Sequence, residues 1–274
     1  HYALVADGTG NLSLYLDGEF SQKLSANTSF VANAIGKGMP NTSYKYNFSG
    51  SLDDVRLVAS ALDISQIQAI YAEKNASEPV TRLRVYLVGG QSNADGRATV
   101  SGLPVPLRAS RNDVDFYYKV EGKTAVLTTL RPGLSESSQF GPEVLLGHRL
   151  ADLHQHEVGT RVAIIKYANG GTNLYSQWKA GGDATTTGDG GEYKVFQTTV
   201  TNGMAALSAA YPDALLNLEG MVWMQGESDA NNLANAQAYQ ANLTNFIADV
   251  RLTFGASLPF IIGRLSDGQT DLNA

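Results

Sequence analysis

Apolar and polar positions follow one period before Glu78-Pro79 and another after it. In the first part, short alternating runs, "ALVA", "NLSLYLDGEF" and "SFVANAIG", are broken by turn signals at Asp7-Gly8, Asp17-Gly18 and Gly36-Lys37-Gly38. Alternation with such turns predicts antiparallel strands. "YKYNFSGSLDDVRLV" extends the pattern as strand, turn and strand. "ALDISQIQAIYAEKN" then changes to helical spacing, with Ile64, Ile67, Ile70 and Tyr71 on one face and Asp63 or Ser65 available as N-cap. "KNASEPVT" reads as a linker.

Beyond the linker the apolar runs become continuous: "LRVYLV", "RVAIIKYA", "EGMVWMQ" and "LPFIIG". Runs of this kind suit parallel strands covered on both faces. Helical patterns separate them. One opens with Pro142 and Glu143 and carries Val144, Leu145 and Leu146; another spaces Tyr193, Phe196, Val200, Met204 and Leu207; a third spaces Tyr239, Leu243, Phe246 and Val250. The expected architecture is a three-layer α/β sandwich with a parallel sheet. "KAGGDATTTGDGGEYK" reads as an irregular, mobile loop. The expected division is residues 1–76, a linker over 77–82, and an α/β domain over 83–274.

Composition narrows the function classes. The chain has 274 residues, of which 43% are hydrophobic and 17% charged, enough apolar material for a large core. Its formal net charge is -6, and no lysine or arginine run could track a phosphate backbone, so no nucleic-acid partner is expected. No apolar run approaches the roughly 20 residues that cross a bilayer, so no membrane partner is expected either. "HYALVADGTG" lacks the signal-peptide pattern and begins with His1, which implies that any leader has been removed. With no cysteine there is no thiolate chemistry. His148, His154 and His156 are not spaced for one helical face, and neither metal nor cofactor is expected.

In a parallel sheet, ligands gather at the carboxyl ends of the strands. Three such ends carry small or polar residues: "GGQSN" over 89–93, "NGGT" over 169–172 and "QGE" over 225–227. A serine there is a candidate nucleophile, glycines let backbone N–H groups approach a developing oxyanion, and a carboxamide can add a donor. Plainer readings exist for each. A Gly-Gly-x-Ser stretch is commonly only a turn, Asn169-Gly170-Gly171 can be a tight connection, Glu227 and Asp229 can cap the next helix, and Trp223 can belong to the core. Three motifs in order, each after a strand, favour a site.

"GGQSNADGR", "YANGGTNL" and "VWMQGESDA" together closely resemble the sialate O-acetylesterase and acetylxylan esterase-like carbohydrate esterases of the SGNH hydrolase superfamily, over Leu83 to about Leu265. The resemblance implies a flavodoxin-like SGNH fold and a serine-dependent O-acetylesterase acting on an acetylated carbohydrate. It makes Ser92 the nucleophile, with Gly170 and Gln225 as oxyanion donors beside the N–H of Ser92. Gln91, Asn93, Asn169, Gly171 and Glu227 would line the substrate site, Gln91 and Asn93 also tying the serine turn down through side-chain hydrogen bonds and Glu227 shaping the site from behind. The family also supplies a histidine base near the C-terminus, usually just after an aspartate, and no residue here matches it: the last histidine is His156. The expectation is a base supplied by a longer polypeptide or a further chain. A carbohydrate-binding protein on an esterase-like scaffold is the alternative.

"LYLDGEF" followed by "FSGSLDDVRLVASALDISQIQAIY" is similar to the closing part of a laminin-G or concanavalin-A-like domain. That resemblance implies a partial all-β jelly roll over the first 76 residues, carbohydrate attachment, and an extracellular, cell-surface or periplasmic location. Asp53 and Asp54 are open to two readings, calcium ligands or turn and cap contacts.

Overall fold

The computed structural model describes residues 2–8, 11–25, 55–75, 79–120, 122–134 and 138–265, in two compact units, His1–Ser77 and Glu78–Ala274. In the first, β1 (Tyr2–Ala6), β2 (Asn11–Leu16) and β3 (Glu19–Ser25) form an antiparallel sheet in that order. Asp17 and Gly18 both have positive φ, 49° and 80°, as a two-residue hairpin turn matched to strand twist requires. α1 (Ile64–Asn75) is capped by Asp63. Its carboxylate accepts the Gln66 N–H at 2.9 Å while Gln66 Oε1 accepts the Asp63 N–H at 3.0 Å, a reciprocal box that decides between Asp63 and Ser65.

Among the described residues this unit holds no second sheet, and residues 55–58, expected as strand, are not assigned to a strand. "SFVANAIG", the Gly36 to Gly38 turn, Asp53 and Asp54 lie outside the described residues.

The second unit is built on a six-stranded sheet. Its chain order is β4 (Arg82–Gly90), α2 (Ser92–Asp95), β5 (Ala98–Thr99), β6 (Arg111–Lys119), β7 (Val126–Leu130), β8 (Gln139–Phe140), α3 (Pro142–His154) and β9 (Thr160–Ala168). α4 (Gly191–Ala210), β10 (Leu215–Met224), α5 (Glu227–Ala230), α6 (Leu233–Phe254) and β11 (Phe260–Ile262) complete it. The strand order is β11-β10-β4-β9-β6-β7; all neighbours are parallel except β6 and β7, and β5 pairs with β8 apart from the sheet.

Alternation along β4 explains the layers. Leu83, Val85 and Leu87 point into a core with Tyr193, Phe196 and Val200 of α4 and Phe246 and Val250 of α6; Val88 points to the other face with Ala151 of α3 and Val114, Phe116, Val162 and Ile164. Trp178 and Trp223 meet edge-on at 5.0 Å in the first core, so Trp223 is a core residue.

Two strands depart from the expected elements. β6 is hidden by charge, since Arg111, Asp113 and Asp115 break its apolar run, and β7, "VLTTL", is short and half polar. In the fold these charges pair at the sheet margin, Arg161 with Asp115 at 2.6 Å and Arg111 with Asp113 and Asp152, each at 2.7 Å. Because β6 pairs with β9, the parallel strands numbered as they occur lie 2-3-1-4-5, against 2-1-3-4-5 in a flavodoxin sheet. β4 still marks where the order reverses, since later strands add on both its sides. The 179–190 loop is pinned rather than loose. Asp189 accepts the Gly181 N–H at 2.5 Å and Gln197 Nε2 at 2.8 Å, and the fully buried Asp249 accepts the Gly182 N–H at 2.7 Å and the Tyr193 hydroxyl at 2.8 Å.

Candidate active site at the end of β4

β4 runs through both glycines, so the chain bends after Gly90, two residues later than a turn directly after Val88. Gly90 adopts φ +139°, and a Cβ there would collide with the Met224 carbonyl of the neighbouring strand. No L side chain fits both demands. The bend delivers Ser92 to the first position of α2, and both flanks are tied: Gln91 N–H donates to Met224 O at 2.9 Å, and Asn169 N–H donates to Gly90 O at 3.1 Å. The three turns read from the sequence therefore meet at one place.

Within this cluster Ser92 and Gly170 are adjacent. A Cβ on Gly170 would stand 3.7 Å from Ser92 Cβ and 3.0 Å from Nη2 of Arg97. Ser92 is half-buried, and Gly170, Gly171 and Asn93 are exposed. Neither the Ser92 nor the Gly170 N–H donates to an acceptor among the described residues. Glu227 takes the Asn93 carboxamide on Oε1, while its buried Oε2 has no partner among the described residues. Asn169 reaches away from the serine, donating to Glu192 Oε1 at 3.1 Å.

Gln225 and Gln91 sit beneath the site rather than in it. Gln225 is 2% exposed, and its Nε2 donates to Asp229 Oδ2 at 2.6 Å and Thr172 O at 3.0 Å, with Gln91 Oε1 at 3.3 Å. Turning the amide over would set its oxygen against two acceptors. Both amide hydrogens are thus occupied in this arrangement, so the oxyanion role expected from the resemblance requires Gln225 to exchange one of these partners. Gln91, 3% exposed, ties the serine turn down as expected: its Oε1 accepts from the Ser228 N–H at 3.2 Å and the Gly226 N–H at 3.4 Å, binding that turn to the Gln-Gly-Glu turn.

Asp229 is open from sequence to a helix cap or a role at the site, and Arg97 has no assigned role. Asp229, 1% exposed, does not cap α6, whose N-cap is Asn232; it accepts the N–H groups of Leu174 at 2.7 Å and Tyr175 at 3.0 Å. Arg97 pairs with Asp95 at 2.8 Å and lies beside Gly170. Its only signal is its place at the end of "GGQSNADGR". The histidines of α3 lie elsewhere. His154 contacts Glu157 at 2.7 Å and the Tyr86 hydroxyl at 3.4 Å, and His148 lies in the field of Arg111, Asp113 and Asp152. No group of three or more potential metal-ligating side chains occurs among the described residues.

A mostly parallel sheet with helices on both faces, presenting a serine and a glycine turn at its switch point, defines the class, an α/β protein with a candidate site at the carboxyl edge of its sheet. The particular family follows from sequence comparison: residues 82–274 match the carbohydrate esterases described as sialic acid-specific acetylesterases, and the chain belongs to that family. No curated protein matches significantly. Among solved structures, the chain is similar to a protein from Arabidopsis thaliana at 16% identity, covering 65% of this chain and 72% of that one with a TM-score of 0.47. It is similar to NanS at 17%, covering 70% of each chain with a TM-score of 0.46. A carbohydrate acetylesterase from Xanthomonas citri shares 18%, over 65% of this chain and 40% of that one, with a TM-score of 0.40.

Proposed function

We propose that the second unit is a serine-dependent O-acetylesterase that removes acetyl groups from carbohydrate, an acetylated sialic acid or polysaccharide, through an acetyl-Ser92 intermediate. The observation that carries this reading is the juxtaposition of Ser92 with Gly170 at the carboxyl edge of the sheet, in a chain of a carbohydrate esterase family. Ser92 Oγ attacks the acetyl carbon and gives its proton to a base. The N–H groups of Ser92 and Gly170 receive the developing oxyanion. Collapse breaks the ester C–O bond, and the sugar hydroxyl leaves with the proton. Water then attacks the acetyl-enzyme and releases acetate.

The base is proposed to come from a segment beyond residue 274 or from a further chain, because no histidine stands beside Ser92 among the described residues. Residues 1–76 are proposed as the closing part of a β-sandwich that attaches the enzyme to glycan outside the cell.

The test is acetate release from acetylated sialic acid, acetylated xylan and 4-nitrophenyl acetate, with this chain and with a polypeptide continuing past residue 274. The reading expects turnover in the longer protein, its loss in Ser92→Ala, and its retention in Ser228→Ala. A folded longer protein that binds acetylated sugar and releases no acetate would make it a binding protein.

A further inference from the structure

A helix of four residues cannot hold its own place, so α2 lies where its ends are fastened. Ser92 is at one end and Asp95 at the other. The Asp95 carbonyl accepts a hydrogen bond from Lys166 Nζ at 2.7 Å, and that ammonium pairs with Glu143 Oε2 at 2.6 Å. Glu143 Oε1 in turn accepts the Gly141 N–H at 3.0 Å. Three elements converge here: α2, β9 through Lys166, and the first turn of α3 through Glu143. The Lys166 and Glu143 side chains are 2% and 3% exposed.

The space around the pair is closed. A Cβ on Gly141 would stand 2.5 Å from Glu143 Oε2, 2.9 Å from Ala94 O and 3.0 Å from Lys166 Nζ, while one on Gly96 would collide with the Gly141 backbone. Nothing separates the end of α2 from the start of α3. Stability alone is a poor reason for this pair, since desolvating two charges offsets their attraction, and apolar groups of similar volume commonly hold such a place as well or better. Directionality is what an apolar pair lacks. An ammonium that must meet one carboxylate and one carbonyl fixes the height and rotation of α2 in a way that methyl groups do not.

We propose that the Lys166–Glu143 pair is a positioning device for the nucleophile: it holds the far end of α2 so that Ser92 keeps its place opposite Gly170. The inference rests on Ser92 being the nucleophile. Neither residue touches substrate.

The experiment compares Lys166→Met/Glu143→Leu, which removes both charges together, with Lys166→Arg and with Lys166→Gln/Glu143→Gln, which retains polar contacts if the apolar pair fails to fold. Each is made in the full-length, acetate-releasing protein. Three quantities are read: the urea midpoint, kcat and KM separately, and hydrogen exchange of the Asp95 and Gly96 amides, whose bonds to Gln91 O and Ser92 O, both 2.8 Å, close α2. The apolar pair is expected to keep the midpoint at or above that of the parent. kcat should fall roughly 10- to 100-fold with KM nearly unchanged. Asp95 and Gly96 should exchange faster while the β4 amides do not, and Lys166→Arg should recover part of both kcat and protection.

A folded apolar variant with unchanged kcat and unchanged exchange would overturn the proposal. If Ser92→Ala leaves hydrolysis intact while the apolar variant still loses Asp95 and Gly96 protection, the nucleophile reading fails and the fastening of α2 stands.

Discussion

Removing the Asp229 carboxylate is the sharpest perturbation the site offers short of its serine. It accepts from Leu174 N at 2.7 Å, Tyr175 N at 3.0 Å and Gln225 Nε2 at 2.6 Å, in a residue 1% exposed. Hydrogen bonds to a charged group contribute about 1.5–3 kcal/mol each, and a buried donor left without a partner costs about 1–3 kcal/mol. Asp229→Ala strands two backbone donors and loosens Gln225. Water entering the vacated space restores part of this, so the expected loss is about 3–5 kcal/mol, near the cost of breaking a buried charged pair. Asp229→Asn keeps one acceptor oxygen and turns an amide group toward a donor, for a loss of about 2–3 kcal/mol. Urea unfolding followed by tryptophan fluorescence reads this unit alone, because the chain's two tryptophans, Trp178 and Trp223, both lie in its core. The expectation is a midpoint lower by more than about 1 M with an unchanged slope. A loss under about 1 kcal/mol for Asp229→Ala would show that the carboxylate does not hold the 172–175 turn.

Further consequences can be measured in the same way. Gln225→Ala should lower stability by about 1–3 kcal/mol, since it removes buried bonds to Thr172 and Asp229; an unchanged midpoint would show that these bonds do not hold the turns together. Gly90→Ala should cost more than about 3 kcal/mol, because its new Cβ meets backbone at a positive φ, whereas Gly89→Ala faces the flexible end of Met221 at 3.0 Å and should cost clearly less. Equal losses would refute the account of the bend. Burial and the Arg111 cation hold the His148 imidazole below its ordinary 6.5, against the pull of Asp152 and Asp113. The unfolded chain therefore takes up this proton first. The stability linked to His148 is complete above about pH 6.5 and is lost as pH falls toward its depressed folded value, and His148→Gln should flatten that slope in urea midpoints.

Much of this architecture is legible in the chain because its signals are local. The apolar runs at β4, β9, β10 and β11 and the helical stripes of α3, α4 and α6 mark the layers, and each motif follows its strand closely enough to be placed at the carboxyl edge. Ser92 and Gly170 meet for that reason. What was not legible depends on partners distant in sequence. Gln225 looks like a free carboxamide until Asp229 and Thr172 occupy its hydrogens, and the expected tie at Gln91 names no partner until the Gly226 and Ser228 N–H groups meet its oxygen. β6 reads as loop because the partners of its charges, Arg161 and Asp152, lie outside it. Lys166 is a single charge inside the apolar run "RVAIIKYA" and Glu143 an acid after a helix-opening proline, and nothing in either stretch links them.

The central claim is that Ser92 is the nucleophile, and a serine-directed fluorophosphonate tests it most directly. The reagent is applied to the protein extended beyond residue 274, followed by peptide mapping of the adduct. The account predicts one adduct, on the peptide carrying Ser92, with loss of acetate release in step with labelling and no adduct in Ser92→Ala. An adduct on Ser228 or another serine, with Ser92→Ala still labelled and still active, would contradict it.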